Sequence, residues 1–398
     1  MNINILTIGT RGDVQPYIAL GLGLKARGHD VTIATLAEFE AQILGYGLNH
    51  DVLRGDFIGA ARNANTNNPL KLIKIYTEMA RDTLADEWSS AQSADVFIYN
   101  PAAFGGYHIA EKLGVPSFAA FPAPMYTPTS EFPSPFFPFA DLGILNKASH
   151  RWFSKMSISI YRKPISEWRR DVLKLPPLKN EKTVKTLYAY SKAVVPVPGD
   201  WDESSVVTGY WFLDSPADWQ PPQDLVKFLQ DGTPPVYIGF GSMFMNGGKQ
   251  KTEMVLEALR LSGQRGILST GWGGLTREDV PENVFVVDSV PHDWLFQHVS
   301  CVVHHGGAGT TGSGLRAGKP TVICPFVGDQ PFWGGRVTAL GVGPESIPQR
   351  KLTAEKLANA IQVAVSDETI RQRSDDLGKI IREEDGVVNA VMYITSHL

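Results

Sequence analysis

Short apolar segments alternate with segments of helical periodicity in both halves of this 398-residue chain. The first half contains the runs NINILTI, DVTIAT, DVFIYN and VPSFAAF, and the second contains PVYIGFGS, QRGILSTG, NVFVVDSV, SCVVHHGG and PTVICPF. After the first run, PYIALGLGLKARGH begins with proline, repeats apolar residues at helical spacing and ends on Gly-His. This alternation is typical of parallel strands joined by crossover helices, and it predicts an α/β fold with two domains.

Two proline-rich segments interrupt the alternation. Residues 122–147 are rich in proline and aromatic residues, which excludes a long helix and predicts a loop or lid. Residues 198–222 are rich in proline, aspartate and tryptophan, and they predict an interdomain linker. We therefore expect an N-terminal domain over residues 1–214, a C-terminal domain over 215–380, and a final helix in 381–398 that packs back on the N-terminal domain.

Charge and composition exclude several classes of function. The formal net charge is −4, whereas a protein that binds the nucleic-acid backbone needs a strongly basic surface, so we expect no nucleic-acid partner. No stretch reaches the roughly 18 uninterrupted apolar residues of a spanning helix, so any membrane contact is expected to be peripheral. Cys301 and Cys324 are too few for a disulfide framework, and the N-terminus lacks a signal-peptide pattern, so we expect a cytoplasmic protein.

A glycine-rich turn follows one of the apolar runs of the second half, in SCVVHHGGAGTTGSGLRAG at residues 300–318. Glycines allow a ligand to approach the backbone closely, and the free N–H groups of a helix start attract phosphate. Thr310 and Thr311 are predicted to open that helix, and the imidazole of His305 is placed to donate a further hydrogen bond. The segment therefore predicts a phosphate site, the alternative being a tight turn without a ligand.

The same turn matches the dinucleotide pattern G-x-G-x-x-G at Gly307, Gly309 and Gly312, with Asp329 about 20 residues further on. A loop separates Asp329 from the preceding strand, however, whereas a dinucleotide site needs the acid at the end of its strand. The pair Asp329 and Gln330 at a helix start is better suited to hold several sugar hydroxyls. A simple helix cap is the alternative for Asp329.

A carboxylate lies on the corresponding turn of the first half, Gly9-Thr10-Arg11-Gly12-Asp13. Asp13 is predicted to act as a general base on an acceptor hydroxyl, the alternative being that it only caps the following helix. The histidines between residues 292 and 305 lack the spacing of zinc ligands, so we expect no metal.

Several long segments carry a resemblance to a known family. They are TIGTRGDVQPYIALGLGLKARGH, VTGYWFLD, GFGSM, STGWGGL and DSVPHDWLFQHVSCVVHHGGAGTTGSGLRAGKPTVICPFVGDQPFWGGRV. The chain resembles family 1 glycosyltransferases of the GT-B fold, most of all sterol 3-β-glucosyltransferases and the bacterial enzymes that glycosylate polyketides, glycopeptides and lipids. The resemblance implies two Rossmann-like domains whose parallel sheets face each other across a cleft, with the nucleotide sugar bound mainly by the second.

The resemblance also implies roles for individual residues. Asp13 matches the position of the catalytic base. The predicted donor-binding residues are Arg11, Gly12, Ser242, Trp272, Val290, His305, Gly307, Gly309, Thr310, Thr311, Asp329 and Gln330. Apart from the resemblance, the aromatic and apolar residues of the first half predict an acceptor pocket lined by Phe57, Trp88, Phe104, Met125 and Trp152, the alternative being ordinary core packing. No cofactor or metal is implied beyond the nucleotide-sugar co-substrate.

We therefore expect an inverting glycosyltransferase that moves a hexose, most simply glucose from UDP-glucose, to a hydroxyl of a hydrophobic acceptor such as a sterol. Two positions depart from the pattern of many plant members, which have tryptophan at Ser289 and glutamate at Ser313, so the donor nucleotide stays open between UDP and dTDP. Polyketides, flavonoids and other lipids are alternative acceptors. A non-catalytic sugar-nucleotide-binding protein and an NAD-dependent oxidoreductase are alternatives of another class.

Overall fold

The structure is a computed structural model that describes residues 1–55, 69–100, 102–139, 141–159, 161–178, 183–240, 248–269 and 280–398, with the backbone alone for 69–73, 248 and 249. Within these ranges, no helix combines the length and the apolar character needed to cross a bilayer.

The N-terminal half forms a parallel sheet flanked by helices. Its strands are β1 (Asn2–Leu6), β2 (Asp30–Thr35), β3 (Asn49–Val52), β4 (Val96–Tyr99), β5 (Ser117–Phe121), β6 (Lys185–Tyr188) and β7 (Ser205–Val207). Its helices are α1 (Arg11–Ala26), α2 (Glu40–Gly45), α3 (Pro69–Ala91), α4 (Gly106–Leu113), α5 (Asn146–Ser159) and α6 (Arg162–Asp171). The strand order is β3-β2-β1-β4-β5-β6-β7.

The central strands of this sheet are covered on both faces. Along β4, Val96 and Ile98 join a core that includes Leu20 of α1, whereas Phe97 and Tyr99 join the opposite core. Because successive side chains of a strand point to opposite faces, an uninterrupted apolar run requires cover on both sides. Helices on each face supply it, as the predicted crossover connections require.

The C-terminal half forms a second parallel sheet in the same manner. Its strands are β8 (Val236–Gly239), β9 (Gly266–Ser269), β10 (Val284–Val287), β11 (Cys301–His304) and β12 (Thr321–Ile323). Its helices are α7 (Gln223–Gln230), α8 (Gly248–Ser262), α9 (His292–Leu295), α10 (Ala308–Arg316), α11 (Gln330–Leu340), α12 (Ala354–Ser366), α13 (Glu368–Glu383) and α14 (Gly386–Thr395). The strand order is β10-β9-β8-β11-β12.

Each sheet reverses its strand order beside its first strand, at β1–β4 in one sheet and at β8–β11 in the other. Ligands of open parallel sheets bind beyond the carboxyl ends of the strands at such a reversal. In the second sheet, His304 of β11 pairs with Gly239 of β8, so the ends of these two strands lie side by side. The fold thus brings the turn after β11 next to the turn after β8.

Helix α1 begins earlier than the proline pattern predicts. It starts at Arg11, so that Pro16 lies inside the helix and Asp13 lies in its first turn instead of in the preceding loop. Pro16 has no N–H to donate to the carbonyl of Gly12, and Gly12 is exposed, so water has access to that carbonyl. This earlier start fixes the carboxylate of Asp13 on a helix.

The last helix lies on the N-terminal half. Val391 and Ile394 of α14 join the core that contains Tyr17 of α1, and the Asn389 amide donates to the carbonyl oxygen of Thr208 at 2.9 Å. Part of the predicted linker also belongs to the first sheet, because residues 205–207 form its edge strand β7.

Candidate active site

The carboxyl ends of both sheets line one large cleft, a cavity of about 1340 Å³. Its walls include the turn between β1 and α1 on one side and the turn between β11 and α10 on the other. Most of the predicted catalytic and donor-binding residues line it, namely Arg11, Gly12, Asp13, Val290, His305, Gly307, Gly309, Thr310, Asp329 and Gln330. Residues far apart in the sequence are thus brought to one cleft.

The carboxylate of Asp13 is held by the turn that precedes it. Its Oδ2 accepts hydrogen bonds from the backbone N–H of Thr10 at 2.8 Å and from the Thr10 hydroxyl at 3.0 Å. Gly9 has φ +148°, and a Cβ there would collide with this carboxylate, so the turn needs glycine for Asp13 to fold back over it. Burial raises the pKa of Asp13, and the two hydrogen bonds from Thr10 oppose that rise. Asp13 therefore both ties the turn to the helix start and faces the cleft.

The glycine-rich turn leaves the start of α10 open. Gly307 is the N-cap and makes no side-chain cap hydrogen bond, so the first helical N–H groups have no side-chain acceptor among the described residues. Gly306 has φ +94°, and a Cβ there would lie 2.7 Å from Ile323, so a side chain is excluded at that point. Thr310 lines the cleft, but the Thr311 hydroxyl donates to the carbonyl oxygen of Gly307 at 2.9 Å and Thr311 is buried behind the turn.

The two adjacent histidines at the end of β11 have different surroundings. His304 is fully buried, and its Nδ1 accepts from the backbone N–H of Gly306 at 3.0 Å, which helps to shape the turn. His305 lines the cleft. Burial lowers the pKa of His305, and the backbone carbonyl of Gly239 opposes that change. A neutral imidazole at this place donates one hydrogen bond from its protonated nitrogen.

Asp329 and Gln330 stand at the start of α11. The Oδ2 of Asp329 accepts from the indole Nε1–H of Trp333 at 2.9 Å. The pKa of Asp329 is raised to about 6, first by burial and further by the negative charge of Asp13. The side-chain oxygen of Gln330 accepts from the backbone N–H of Phe326 at 2.7 Å, so its amide N–H₂ is the part left for a ligand.

One hydrogen bond crosses between the walls near the predicted base site. A guanidinium nitrogen of Arg11 donates to the hydroxyl of Ser289 at 3.3 Å, and Ser289 precedes the cleft residue Val290. Ser313, which also lines the cleft, donates its hydroxyl to the carbonyl of Gly309 at 3.0 Å. The two residues that depart from the plant pattern thus face the same cavity.

The predicted acceptor residues do not form one group. Met125 lines the cleft. Trp88 and Phe104 pack on the core of the N-terminal half, where Phe104 stacks on Tyr161 with 3.9 Å between ring centroids. Trp152 lies on the outer surface with 57% of its area exposed, because its position on α5 points away from the core.

Three predicted residues lie outside the described part of the chain, namely Phe57, Ser242 and Trp272. Among the described residues, no group of three or more His, Cys, Asp or Glu side chains is arranged to hold a metal ion.

Sequence reasoning missed two partners of the site residues. Trp333 orients Asp329, and the spacing of four residues at the start of a helix was the signal that could have paired them. In the sequence Ser289 is only a departure from the plant pattern, whereas in the structure it accepts a hydrogen bond from Arg11 of the opposite wall. No local sequence signal connects two residues so far apart in the chain.

Comparisons with known proteins agree with this geometry. Residues 3–132 match the glycosyltransferase family 28 N-terminal domain, and residues 273–384 match the erythromycin biosynthesis protein CIII-like C-terminal domain. The crystal structure of the glycotransferase of kitacinnamycin superposes with a TM-score of 0.76 at 20% identity, covering 100% of this chain and 99% of that one. The fold is therefore the GT-B fold, and the match to a glycosyltransferase N-terminal domain identifies the protein as a glycosyltransferase of that fold.

Relatives of known sequence show to which glycosyltransferase family the chain belongs. The chain is 38% identical over 427 residues to the sterol 3-beta-glucosyltransferase UGT80B1 of Arabidopsis thaliana, covering 100% of this chain and 68% of that protein. It is 36% identical over 449 residues to the UDP-sugar-dependent glycosyltransferase 52 of Dictyostelium discoideum, covering 100% of this chain but 26% of that protein. The chain belongs to the sterol 3-beta-glucosyltransferase family, and it spans about two thirds of the plant relative.

Proposed function

We propose that this glycosyltransferase moves glucose from UDP-glucose, with inversion at the sugar carbon, to the hydroxyl of a sterol. The observation that carries this proposal is the placement of Asp13 on one wall of the cleft and of the uncapped α10 start with His305 on the other. An activated sugar held by its diphosphate at one wall would present its anomeric carbon to a hydroxyl activated at the other.

Asp13 is the proposed general base. Both of its hydrogen bonds from Thr10 reach Oδ2, so Oδ1 is the oxygen offered to an acceptor hydroxyl. Its raised pKa increases its affinity for a proton, which suits a group that must take one during the reaction. The proton passes from the acceptor hydroxyl to Asp13 as that oxygen forms its bond to the sugar and the bond to the diphosphate breaks.

The turn between β11 and α10 is the proposed site of the leaving diphosphate. Negative charge that develops there meets the free N–H groups of the helix start and the imidazole of His305. Four charge-assisted hydrogen bonds at roughly 1.5–3 kcal/mol each give about 6–12 kcal/mol. Association itself costs about 4–15 kcal/mol, so contacts to the base and the sugar must add to donor binding.

Asp329 and the Gln330 amide are proposed to hold sugar hydroxyls. Trp333 fixes the Asp329 side chain through Oδ2, which leaves Oδ1 as an acceptor toward the cleft. A hydroxyl-rich sugar offers donors to such a carboxylate and acceptors to the amide.

A sterol acceptor is supported by the family and by apolar residues on the N-terminal wall. Met125 and Phe136 line the cleft on that wall, where a hydrophobic alcohol would bury apolar surface. The plant relative carries the sterol activity in its name, and the Dictyostelium relative carries the UDP-sugar donor in its name.

A donor and acceptor panel with product detection tests the proposal. UDP-glucose and dTDP-glucose are each combined with a sterol and a flavonoid, and products are identified by mass spectrometry with the anomeric configuration read by NMR. The expected product is a sterol β-glucoside formed from UDP-glucose. Transfer only to small polar sugars, or donor binding without transfer to any acceptor, contradicts the proposal.

A further inference from the structure

One segment of the N-terminal half is strongly basic in an otherwise acidic chain. Residues 142–163 contain five basic side chains and no aspartate or glutamate, whereas the whole chain has a net charge of −4. The basic residues are Lys147, Arg151, Lys155, Arg162 and Lys163. Most of the segment is α5, so these charges lie on and around one helix.

Ion pairs account for two of these charges. Lys147 lies 3.2 Å from Asp200, and Lys163 lies 4.0 Å from Glu167. Arg151, Lys155 and Arg162 are exposed and form no ion pair within the described part of the chain. Their charge is therefore available to a partner.

Large apolar side chains are exposed along the same segment. Ile144 is 99% exposed, Trp152 57% and Met156 63%, with Leu145 exposed beside them. Trp152 and Met156 are four residues apart on α5, so they lie on one face of the helix. Arg151 and Lys155 each precede one of them by a single residue, which places the charges about 100° around the helix from the apolar stripe.

This surface continues into the cleft. Phe136 stacks on Phe153 of α5 with 3.9 Å between ring centroids, and Phe136 also lines the cleft. Phe139, three residues further along the chain, is also exposed. Apolar contact thus runs from the outer face of α5 to the N-terminal wall, where the acceptor is proposed to bind.

We propose that α5 and the loop before it dock on the surface of an anionic phospholipid bilayer. Tryptophan and other apolar side chains flanked by basic residues are the composition of a helix that lies in the bilayer interface, with the apolar side chains among the acyl chains and the cations at the headgroups. This orientation opens the acceptor side of the cleft toward the lipid phase, so that a lipid alcohol enters without crossing water. That consequence rests on the proposed function.

Vesicle co-sedimentation of the full chain tests the docking surface. Vesicles contain either phosphatidylcholine alone or phosphatidylcholine mixed with phosphatidylserine, and wild type is compared with R151E/K155E and with W152S/M156S. We expect wild type to partition onto the anionic vesicles. Each basic side chain near an anionic surface contributes about a fivefold factor, so R151E/K155E should lower that partition coefficient about 25-fold or more. W152S/M156S should lower it about tenfold or more, because two buried apolar side chains are lost.

Matched variants separate docking from other effects. R350E/R371E reverses the charge of two exposed arginines outside this segment, and M392S removes an exposed methionine of α14. Both variants should bind vesicles as wild type does. R151E/K155E should keep wild-type turnover on a detergent-dispersed sterol but lose turnover on the same sterol in anionic vesicles. Three outcomes overturn the docking proposal. They are equal vesicle binding by R151E/K155E and wild type, absence of vesicle binding by wild type, and a sedimentation analysis showing that this face joins two copies of the chain. Absence of transfer to dispersed sterol, with vesicle binding intact, instead contradicts the proposed function alone.

Discussion

The turn between β1 and α1 and the turn between β11 and α10 face each other across the cleft. They have the same strand-turn-helix arrangement but differ in charge. Each leaves a parallel strand beside a reversal of strand order, and each contains a glycine with positive φ, Gly9 in one and Gly306 in the other. In the first turn, the Asp13 carboxylate accepts the N–H of Thr10. In the second, Gly307 leaves the helix start without a side-chain cap. In the proposed function, the same supersecondary unit supplies a proton acceptor in one domain and an anion site in the other.

The proposed function therefore assigns the different roles of the two turns to the side chain near each helix start. A carboxylate at the third helical position satisfies local N–H groups and adds negative charge, so the first turn would repel a diphosphate. Glycines place no side chain over the second turn, so its N–H groups stay open to an anion. Four changes, taken from the largest expected effect to the smallest, test this division of roles.

Asp13→Asn removes the proton acceptor and keeps the shape of the first turn. We expect turnover to fall about 10²–10⁴-fold, the range that general-base catalysis contributes, while donor affinity changes little. Turnover from steady-state kinetics and UDP affinity from calorimetry check the two halves of this prediction. Asp218→Asn is the control, because Asp218 also lines the cleft but is not assigned to the chemistry. Near-wild-type turnover in Asp13→Asn would remove the base role.

His305→Ala tests the second turn. Because burial lowers the pKa of His305, the ring is expected to be neutral, and its single N–H is expected to exchange the carbonyl of Gly239 for a phosphate oxygen when UDP binds. Losing a charge-assisted bond worth about 1.5–3 kcal/mol should weaken UDP binding about 10- to 150-fold. His298→Ala, at an exposed histidine outside the cleft lining, should bind UDP normally. Unchanged UDP affinity in His305→Ala would refute the phosphate assignment.

Regular patterns in the sequence predicted the architecture, because strand and helix periodicities are local. Every strand run named from the sequence is a strand of one of the two sheets. The strand Asn49–Val52 had no such signal, since NHDV is polar and lies at the sheet edge. The proline pattern predicts that α1 starts at Pro16, which is wrong, because the capping interaction of Asp13 extends the helix to Arg11.

The position of a cleft residue can be predicted from sequence where the residue belongs to a local motif that follows a strand. It cannot be predicted where it depends on a tertiary contact. The glycine-rich turn and Asp13 could be placed from sequence because both follow strands at the same kind of edge. The exposure of Trp152 could not, because an aromatic residue on a helix has the same local pattern whether it faces a pocket or solvent. The bond from Arg11 to Ser289 depends on how the two halves meet.

The pH dependence of donor binding tests whether the negative charge of Asp13 raises the pKa of Asp329 across the cleft. The Asp329 pKa is about 6, so its carboxyl is protonated below that pH and accepts hydroxyl hydrogen bonds poorly. As the pH rises through 6, the carboxylate forms, and donor affinity should increase about tenfold between pH 5 and pH 7. In Asp13→Asn, loss of the neighbouring negative charge should move this inflection to lower pH.

The control for this pH profile is Asp329→Asn, which should show a flat response over the same interval. Calorimetry with UDP-glucose gives the affinity, and UDP alone separates the sugar contact from the phosphate contact, because UDP has no sugar hydroxyls to meet Asp329. A profile for UDP-glucose that is unaltered in both variants would show that Asp329 does not hold the sugar.

Gly309→Ala, in the turn between β11 and α10, has the smallest expected effect on UDP binding. A Cβ at Gly309 would meet no atom of the described residues within 4 Å, so they leave room for it, and alanine in a helix is about 0.5–1 kcal/mol more stable than glycine. A diphosphate close to the backbone would nevertheless meet the new methyl group, and lengthening one of its hydrogen bonds without breaking it, at a cost of about 0.5–1.5 kcal/mol, weakens UDP binding about two- to tenfold. Gly335→Ala in α11, equally unobstructed, should raise stability without that loss. Thermal unfolding and calorimetry together therefore distinguish a turn kept open for a ligand from one that is merely tight, since only the former loses affinity while it gains stability.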